Sequence, residues 1–269
     1  MKRMSGLFAL CVACVVVASC VSGAPPADPF AGRLVDLSHA YDEQTVFWPT
    51  AEGFKLEKVA EGVTPGGYYY AANNFSTAEH GGTHLDAPVH FAEGRNTADR
   101  VPLEQLMGAG VLVDVSEKCA RDADYQVSVE DLAAWEREHG RLPDASILLL
   151  RTGFGRRWPD RRTYMGTDER GAEAVAKLHF PGLHPDAARW LVRERRIKAV
   201  GLDTPSIDYG QSKLFESHRA LFERDVPAFE NLANLEQLPA RGFHVVALPM
   251  KIKGGSGGPL RAVAIVRND

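Results

Sequence analysis

The residues best suited to chemistry lie in one short run, His80-Gly81-Gly82-Thr83-His84-Leu85-Asp86-Ala87-Pro88-Val89-His90-Phe91. Three of the chain's nine histidines fall inside it, beside a carboxylate. A His pair at i and i+4 can share a helix face and hold zinc. Here the glycine pair and Pro88 oppose a helix, since each Gly costs about 1 kcal/mol and Pro about 3 kcal/mol in a helix interior. The run instead predicts a turn leading into an extended segment. Along extended chain His84 and Asp86, two apart, project to the same side. The glycines let the backbone curl so that His80 reaches the same point. Two imidazoles and a carboxylate with open positions suit a catalytic Zn or Mn centre better than a closed structural one. One such histidine would ordinarily be a packed or surface residue. Three beside an Asp, amid Gly, Thr and Pro, are hard to explain as packing.

The elements that must position this run are legible as apolar patterns. β-like runs occur at Leu34–Leu37, Phe54–Val59, Tyr68–Phe75, Val111–Val115, Ile147–Leu150, Ile197–Leu202, Phe243–Leu248 and Ala262–Val266. Several are continuously apolar, as in sheets covered on both faces. Ser128 caps a helix through Glu138, with Asp131 at the box position and Gly140 as the stop. Pro185 sits in the first turn of a helix whose apolar face is Ala187, Trp190, Leu191 and Val192. A third helix runs near Leu214–Phe222 and ends before Pro227. Strands in succession early and strands alternating with helices later predict one mixed α/β domain, with no linker dividing it.

Composition excludes several classes. Hydrophobic residues make up 45% of the 269 and charged residues 25%, which fits a globular domain and not a disordered or fibrous chain. A formal net charge of −4 leaves no electrostatic footprint for nucleic acid. Lys2 and Arg3 precede the apolar run Leu7–Ala18, which is too short to span a bilayer but fits a secretory signal. It ends in Val17-Ala18-Ser19-Cys20, similar to a bacterial lipobox, in which the Cys is lipidated after cleavage. We therefore expect a signal peptide over 1–19, a lipidated tether over 20–32, and a body over 33–269. Three of the four cysteines lie at or before position 20, leaving Cys119 alone in the body. An intramolecular disulfide or a Cys-rich zinc site in the body is thereby excluded.

His80-x-Gly82-Thr83-His84-x-Asp86-x-Pro88-x-His90-Phe91 resembles, position for position, the HxGTHxDxPxHF signature of the cyclase family of metal-dependent hydrolases. Bacterial kynurenine formamidase and isatin hydrolase belong to that family. The family's downstream His, with a Glu twelve residues later, is matched by His218 and Glu230, and Phe47-Trp48-Pro49 resembles its substrate-stacking segment. The resemblance thus runs from about Arg33 onward. It implies a single mixed α/β domain of the swivelling β/α/β type. It implies that His80, His84 and Asp86 hold a first metal, and that Asp86 bridges to a second held by His218 and Glu230. Family members differ in holding one ion or two, and Zn or Mn. On one continuous helix His218 and Glu230 would stand about 120° apart, and Pro227 supplies the break that lets Glu230 turn back. By residue type alone Glu230 reads as a solvated carboxylate.

His90 resembles the family's catalytic histidine, which is not a ligand but moves protons between water and the leaving group. A metal lowers the pKa of bound water to roughly 7, close to an imidazole near 6.5. The other reading makes His90 a partner that only orients a ligand. Trp48 stacks on an aromatic substrate by resemblance, or belongs to the core. Asp203, Ser206 and Asp208 follow a strand end, where substrate contact and plain turn chemistry are both in reach. Gly254-Gly255-Ser256-Gly257-Gly258 lacks the ending of a phosphate loop and reads as a mobile loop able to act as a lid.

The expected function is metal-dependent hydrolysis of a C–N bond in a small aromatic amide, with N-formylkynurenine and isatin as leading substrates. A body longer than the compact formamidases, together with an export leader, leans the expectation toward an isatin-hydrolase-like enzyme. The alternative is an exported lipoprotein that binds metal or ligand without catalysis. His90, which a pure metal binder would not need, favours the enzyme. Expected partners are the small substrate and a second copy in a homodimer, with no nucleic acid, and with a membrane met only through the lipid at Cys20.

Overall fold

A computed structural model of the chain describes residues 31–267. The expected signal peptide, Cys20 and the tether as far as residue 30 lie outside the described residues. The strands are β1 (Arg33–Asp36), β2 (Lys55–Val63), β3 (Tyr69–Ser76), β4 (His84–Asp86), β5 (Met107–Asp114), β6 (Gln126–Val127), β7 (Ile147–Arg151), β8 (Gly182–Leu183), β9 (Ala199–Leu202), β10 (Ala228–Glu230), β11 (Phe243–Pro249) and β12 (Gly257–Val266). All eight β-like runs of the sequence form strands, and β4, β6, β8 and β10 are added. The added strands are two or three residues long, too short to show a period.

Seven strands close on themselves in the order β12-β11-β5-β7-β9-β10-β4, with β4 returning to β12. β1 lies on β12 outside the ring. β5, β7, β9 and β10 are parallel to one another, and the remaining pairs of the ring are antiparallel. This is a mixed α/β domain around a barrel-like sheet, the expected class.

The strand residues divide between two cores. Leu112, Ile147, Leu149, Ala199, Leu85 and Phe229 join one apolar cluster with Val245, Ala262 and Ala264 from β11 and β12. Their alternates Val111, Val113, Leu148, Leu150, Val200 and Leu202 join the other, with Leu132, Trp135, Ala187, Leu191, Leu221 and Phe222 from the helices. Both faces of these strands are therefore covered, which is why they read as continuous apolar runs. Each fully buried Leu or Ile of β7 contributes roughly 1.5–3 kcal/mol. The helix Val129–His139 starts at a capping box between Ser128 and Asp131 and stops at Gly140. Pro185–Trp190 and Glu216–Phe222 are also helical.

β2 and β3 depart from the expected pattern. They pair only with each other, as a two-stranded ribbon outside the ring. Leu56, Val59, Val63, Tyr69, Tyr70 and Phe75 on it are more than half exposed. The sequence shows β propensity there but carries no sign of which strands will be neighbours.

Candidate metal centre and active site

β4 carries the centre of the site. Leu85 points into the ring core, so His84 and Asp86, one residue to either side, point out of it together. β4 lies between β10 and β12, with Glu230 opposite His84 and Gly257 opposite Asp86. Gly82, at φ +58°, takes the left-handed turn that a glycine adopts without strain. That turn returns His80 to the cluster, with Nδ1 2.6 Å from Asp86 Oδ1. The neighbouring Gly81 pairs with Phe47, and the Gly82 amide donates to the Val46 carbonyl at 3.0 Å. The early aromatic segment is thereby held beside the histidine turn.

The helix Glu216–Phe222 supplies His218, and the chain turns through Pro227 into β10. His218 Nε2 lies 3.1 Å from Glu230 Oε1 and 3.2 Å from Asp86 Oδ2. Two groups of potential ligand atoms result, His80/His84/Asp86 and Asp86/His218/Glu230, each within 4.8 Å and sharing Asp86. These are the two sets of residues expected to hold metal. His90 belongs to neither group.

The hydrogen bonds around the three histidines test whether this donor set suits a cation. His84 Nδ1 is 2.9 Å from the Gly82 carbonyl, which can only accept, so Nδ1 carries the proton. Its Nε2 is buried without a hydrogen-bond partner, 3.0 Å from Asp86 Oδ1 and 3.4 Å from Glu230 Oε2. His218 Nδ1 donates to Asp208 Oδ2 at 2.6 Å, which turns the Nε2 lone pair to the cluster. His80 Nε2 is 2.8 Å from Ser256 Oγ, leaving Nδ1 on the Asp86 side. Ring nitrogens of three imidazoles thus face two buried carboxylates across about 3 Å, a donor set that suits a cation between them.

Where no metal ion is bound, protons take its place. Burial pulls the His84 pKa down, but the hydrogen bond and charge of Asp86, with the charge of Glu230, raise it overall. His218 is lowered by burial and raised well above its usual value by Asp208, Asp86 and Glu230. Burial works against the Asp86 carboxylate too, yet the surrounding histidines hold it well below the usual range. Glu230 is pushed up by burial and by Asp86. His90 goes the other way, lowered to about 4 by burial and by the charges of His80, His218 and His84 against the pull of Asp86. Its ring stacks on His80, centroids 3.8 Å apart, and lies edge-on to Phe91.

Above the cluster opens a cavity of about 280 Å³, walled by Phe47, Trp48, Phe91, Phe215 and Pro205 and floored by the histidines and carboxylates. Trp48 packs on the core and also lines the cavity, edge-on to Phe180 and Phe215. Ser206 lines the cavity. Asp203 does not; its carboxylate takes the amides of Thr152, Gly153 and Gly155 and the Thr152 hydroxyl. Asp208 positions His218 instead of meeting substrate.

Asn231 escaped sequence reasoning. In left-handed backbone at φ +54°, it donates to the Gly82 carbonyl at 2.8 Å and receives the Tyr164 hydroxyl at 2.8 Å. Its own carbonyl accepts the Thr83 hydroxyl at 2.7 Å. It joins the β10 end to the histidine turn, and its only sequence signal is adjacency to Glu230.

The chain is similar to known proteins over most of its length. The Cyclase family model, described as "Putative cyclase", matches residues 35–209. Isatin hydrolase of Roseibium aggregatum is 30% identical over 220 residues, covering 79% of this chain and 81% of that protein. Kynurenine formamidase of Bacillus cereus is 28% identical, covering 85% of this chain and 95% of that protein. Among solved structures, isatin hydrolase A from Labrenzia aggregata bound to benzyl benzoate superposes with a TM-score of 0.79 at 33% identity, covering 88% of this chain and 94% of that one. The chain therefore belongs to the cyclase family of metal-dependent hydrolases.

Proposed function

We propose that this protein hydrolyses the C–N bond of a small, neutral aromatic amide, with a cyclic amide of the isatin type preferred over N-formylkynurenine. The observation that carries this reading is the apolar, aromatic-walled cavity set directly on the histidine–carboxylate cluster. Among the described residues its wall contains no Lys or Arg that would meet the α-carboxylate of an amino-acid substrate. The similarity to isatin hydrolases supports the same choice.

His80, His84 and Asp86 would hold one divalent ion, Zn or Mn, and Asp86, His218 and Glu230 a second. When bound, the metal supplies Lewis acidity toward a carbonyl oxygen and acidifies water. The chain's own residues do the rest. Trp48, Phe91 and Phe215 enclose the aromatic ring and orient its amide toward the cluster. The same walls exclude bulk water, which strengthens charge interactions at the floor. His90, neutral at pH 7, accepts at its free ring nitrogen the proton released as water adds to the carbonyl. It then returns that proton to the departing nitrogen as the C–N bond breaks. The noncatalytic lipoprotein reading has no support in the relatives.

We further propose export as a lipoprotein anchored at Cys20, on the apolar Leu7–Ala18 run and the Val17–Cys20 pattern. The homodimer is proposed on the β2–β3 ribbon, since an isolated two-stranded ribbon is at best marginally stable in water. The decisive experiment assays the metal-loaded protein on isatin, on N-formylkynurenine and on simple lactones. Turnover of isatin with a kcat/KM at least tenfold above the others is expected. Preference for N-formylkynurenine would overturn the neutral-substrate reading, and activity on none would overturn the enzyme.

A further inference from the structure

The glycine-rich segment at 254–258 is held in place. The Ala98 amide donates to the Gly255 carbonyl and the Ala87 amide to the Ser256 carbonyl, both at 2.9 Å. The Gly254 amide donates to Asp99 Oδ1, also at 2.9 Å. A Cβ at Gly257 would come within 2.5 Å of the Leu85 carbonyl oxygen and 2.6 Å of the His80 ring. The absence of side chains therefore serves close approach to His80, which is the reverse of a lid.

What the segment brings to His80 is Ser256. Its hydroxyl donates to Glu79 Oε2 at 2.6 Å and its amide to the same oxygen at 2.9 Å. A carboxylate can only accept. With its one proton given to Glu79, Ser256 Oγ can only accept from His80 Nε2, 2.8 Å away. His80 Nε2 is thereby the donor to Ser256, which leaves Nδ1, 2.6 Å from Asp86 Oδ1, as the nitrogen that can exchange its proton for a metal.

We propose that Glu79 and Ser256 form a positioning relay for His80. Glu79 acts through the Ser256 hydroxyl to set the tautomer and orientation of the imidazole and to raise its basicity toward a divalent metal. Neither residue touches the substrate cavity. The relay rests on the reading of His80, His84 and Asp86 as metal ligands. It does for His80 what the Gly82 carbonyl does for His84 and Asp208 does for His218.

The test uses the full chain and three variants, Glu79→Gln, Ser256→Ala and Ser256→Thr, with His84→Ala as a control. Zn²⁺ and Mn²⁺ affinities are measured by chelator competition, and the His80 tautomer of the metal-free protein by ¹⁵N NMR. Loss of such an outer partner typically weakens metal binding about 10- to 100-fold. We expect that loss in Glu79→Gln and Ser256→Ala, restoration in Ser256→Thr, which keeps the hydroxyl, and a mixed His80 tautomer in Ser256→Ala. Glu79→Gln removes only charge and Ser256→Ala only a hydroxyl, so the melting temperature of the chelated protein should stay near wild type. Affinities within twofold of wild type, with metal lost in His84→Ala, would overturn the relay and leave the metal site standing. Metal retained in full by His84→Ala would overturn the metal site itself.

Discussion

Replacing His90 by Ala tests the division of labour at the site most directly. His90 is in neither group of potential metal ligands, and its ring centroid is 6.4 Å from that of His218. The substitution should therefore leave metal content at the wild-type level. Burial and the neighbouring histidines lower the His90 pKa to about 4, so it is neutral at pH 7 and can accept a proton. General acid–base catalysis contributes about 10²–10⁴-fold, or about 3–5 kcal/mol of transition-state stabilisation. Ring stacking on His80 binds no substrate, so the loss should fall on kcat with KM little changed. Steady-state kinetics on isatin, with metal content by mass spectrometry on the same sample, would measure both. Added imidazole should restore part of the lost rate. Metal lost in parallel with activity would make His90 a ligand, and full turnover with full metal would make it structural. Either result refutes the assignment.

Further outcomes follow from the same geometry. Asp86→Ala should remove all bound metal because both ligand groups share it, whereas His218→Ala should remove at most one ion, as metal-to-protein ratios would show. Metal affinity should fall as pH drops through the raised pKa values of His84 and His218. A bound proton must then leave for each nitrogen that coordinates, up to about tenfold in affinity per pH unit per proton; titrations between pH 5.5 and 8 would show it. Cys20→Ser should move the protein from membrane to soluble fractions without loss of hydrolysis, and persistent anchoring would refute the lipoprotein proposal. A double change, Leu56→Glu with Phe75→Lys, should lower the solution mass from dimer to monomer by light scattering. An unchanged mass would take the interface away from the ribbon.

Much of this site could be read from the chain alone because its parts are local. His84 and Asp86 share a side by strand period, and Gly82 announces the turn that returns His80. The full signature from His80 to Phe91 identified the family, and the helix Val129–His139 was legible from its capping box to its terminal glycine. The ring strands β5, β7 and β9 were readable because both faces are covered along Val111–Val113, Ile147–Leu150 and Ala199–Leu202, where the residues are apolar.

What only the tertiary structure decided is set by neighbours distant in sequence. Glu230 becomes a potential ligand because β10 pairs with β4, 146 residues away at the His84↔Glu230 register, and strand order leaves no trace in composition. Asp208 and Asp203 are both buried acids after one strand, yet one orients His218 and the other caps the turn at Thr152–Gly155. Trp48 serves core and cavity together. The glycine-rich segment, flexible by sequence, is fixed by hydrogen bonds to Glu79, Ala87, Ala98 and Asp99. Local chain stiffness and period are written in the sequence; which buried polar groups find which partners is decided only when the closed sheet brings them within 3 Å.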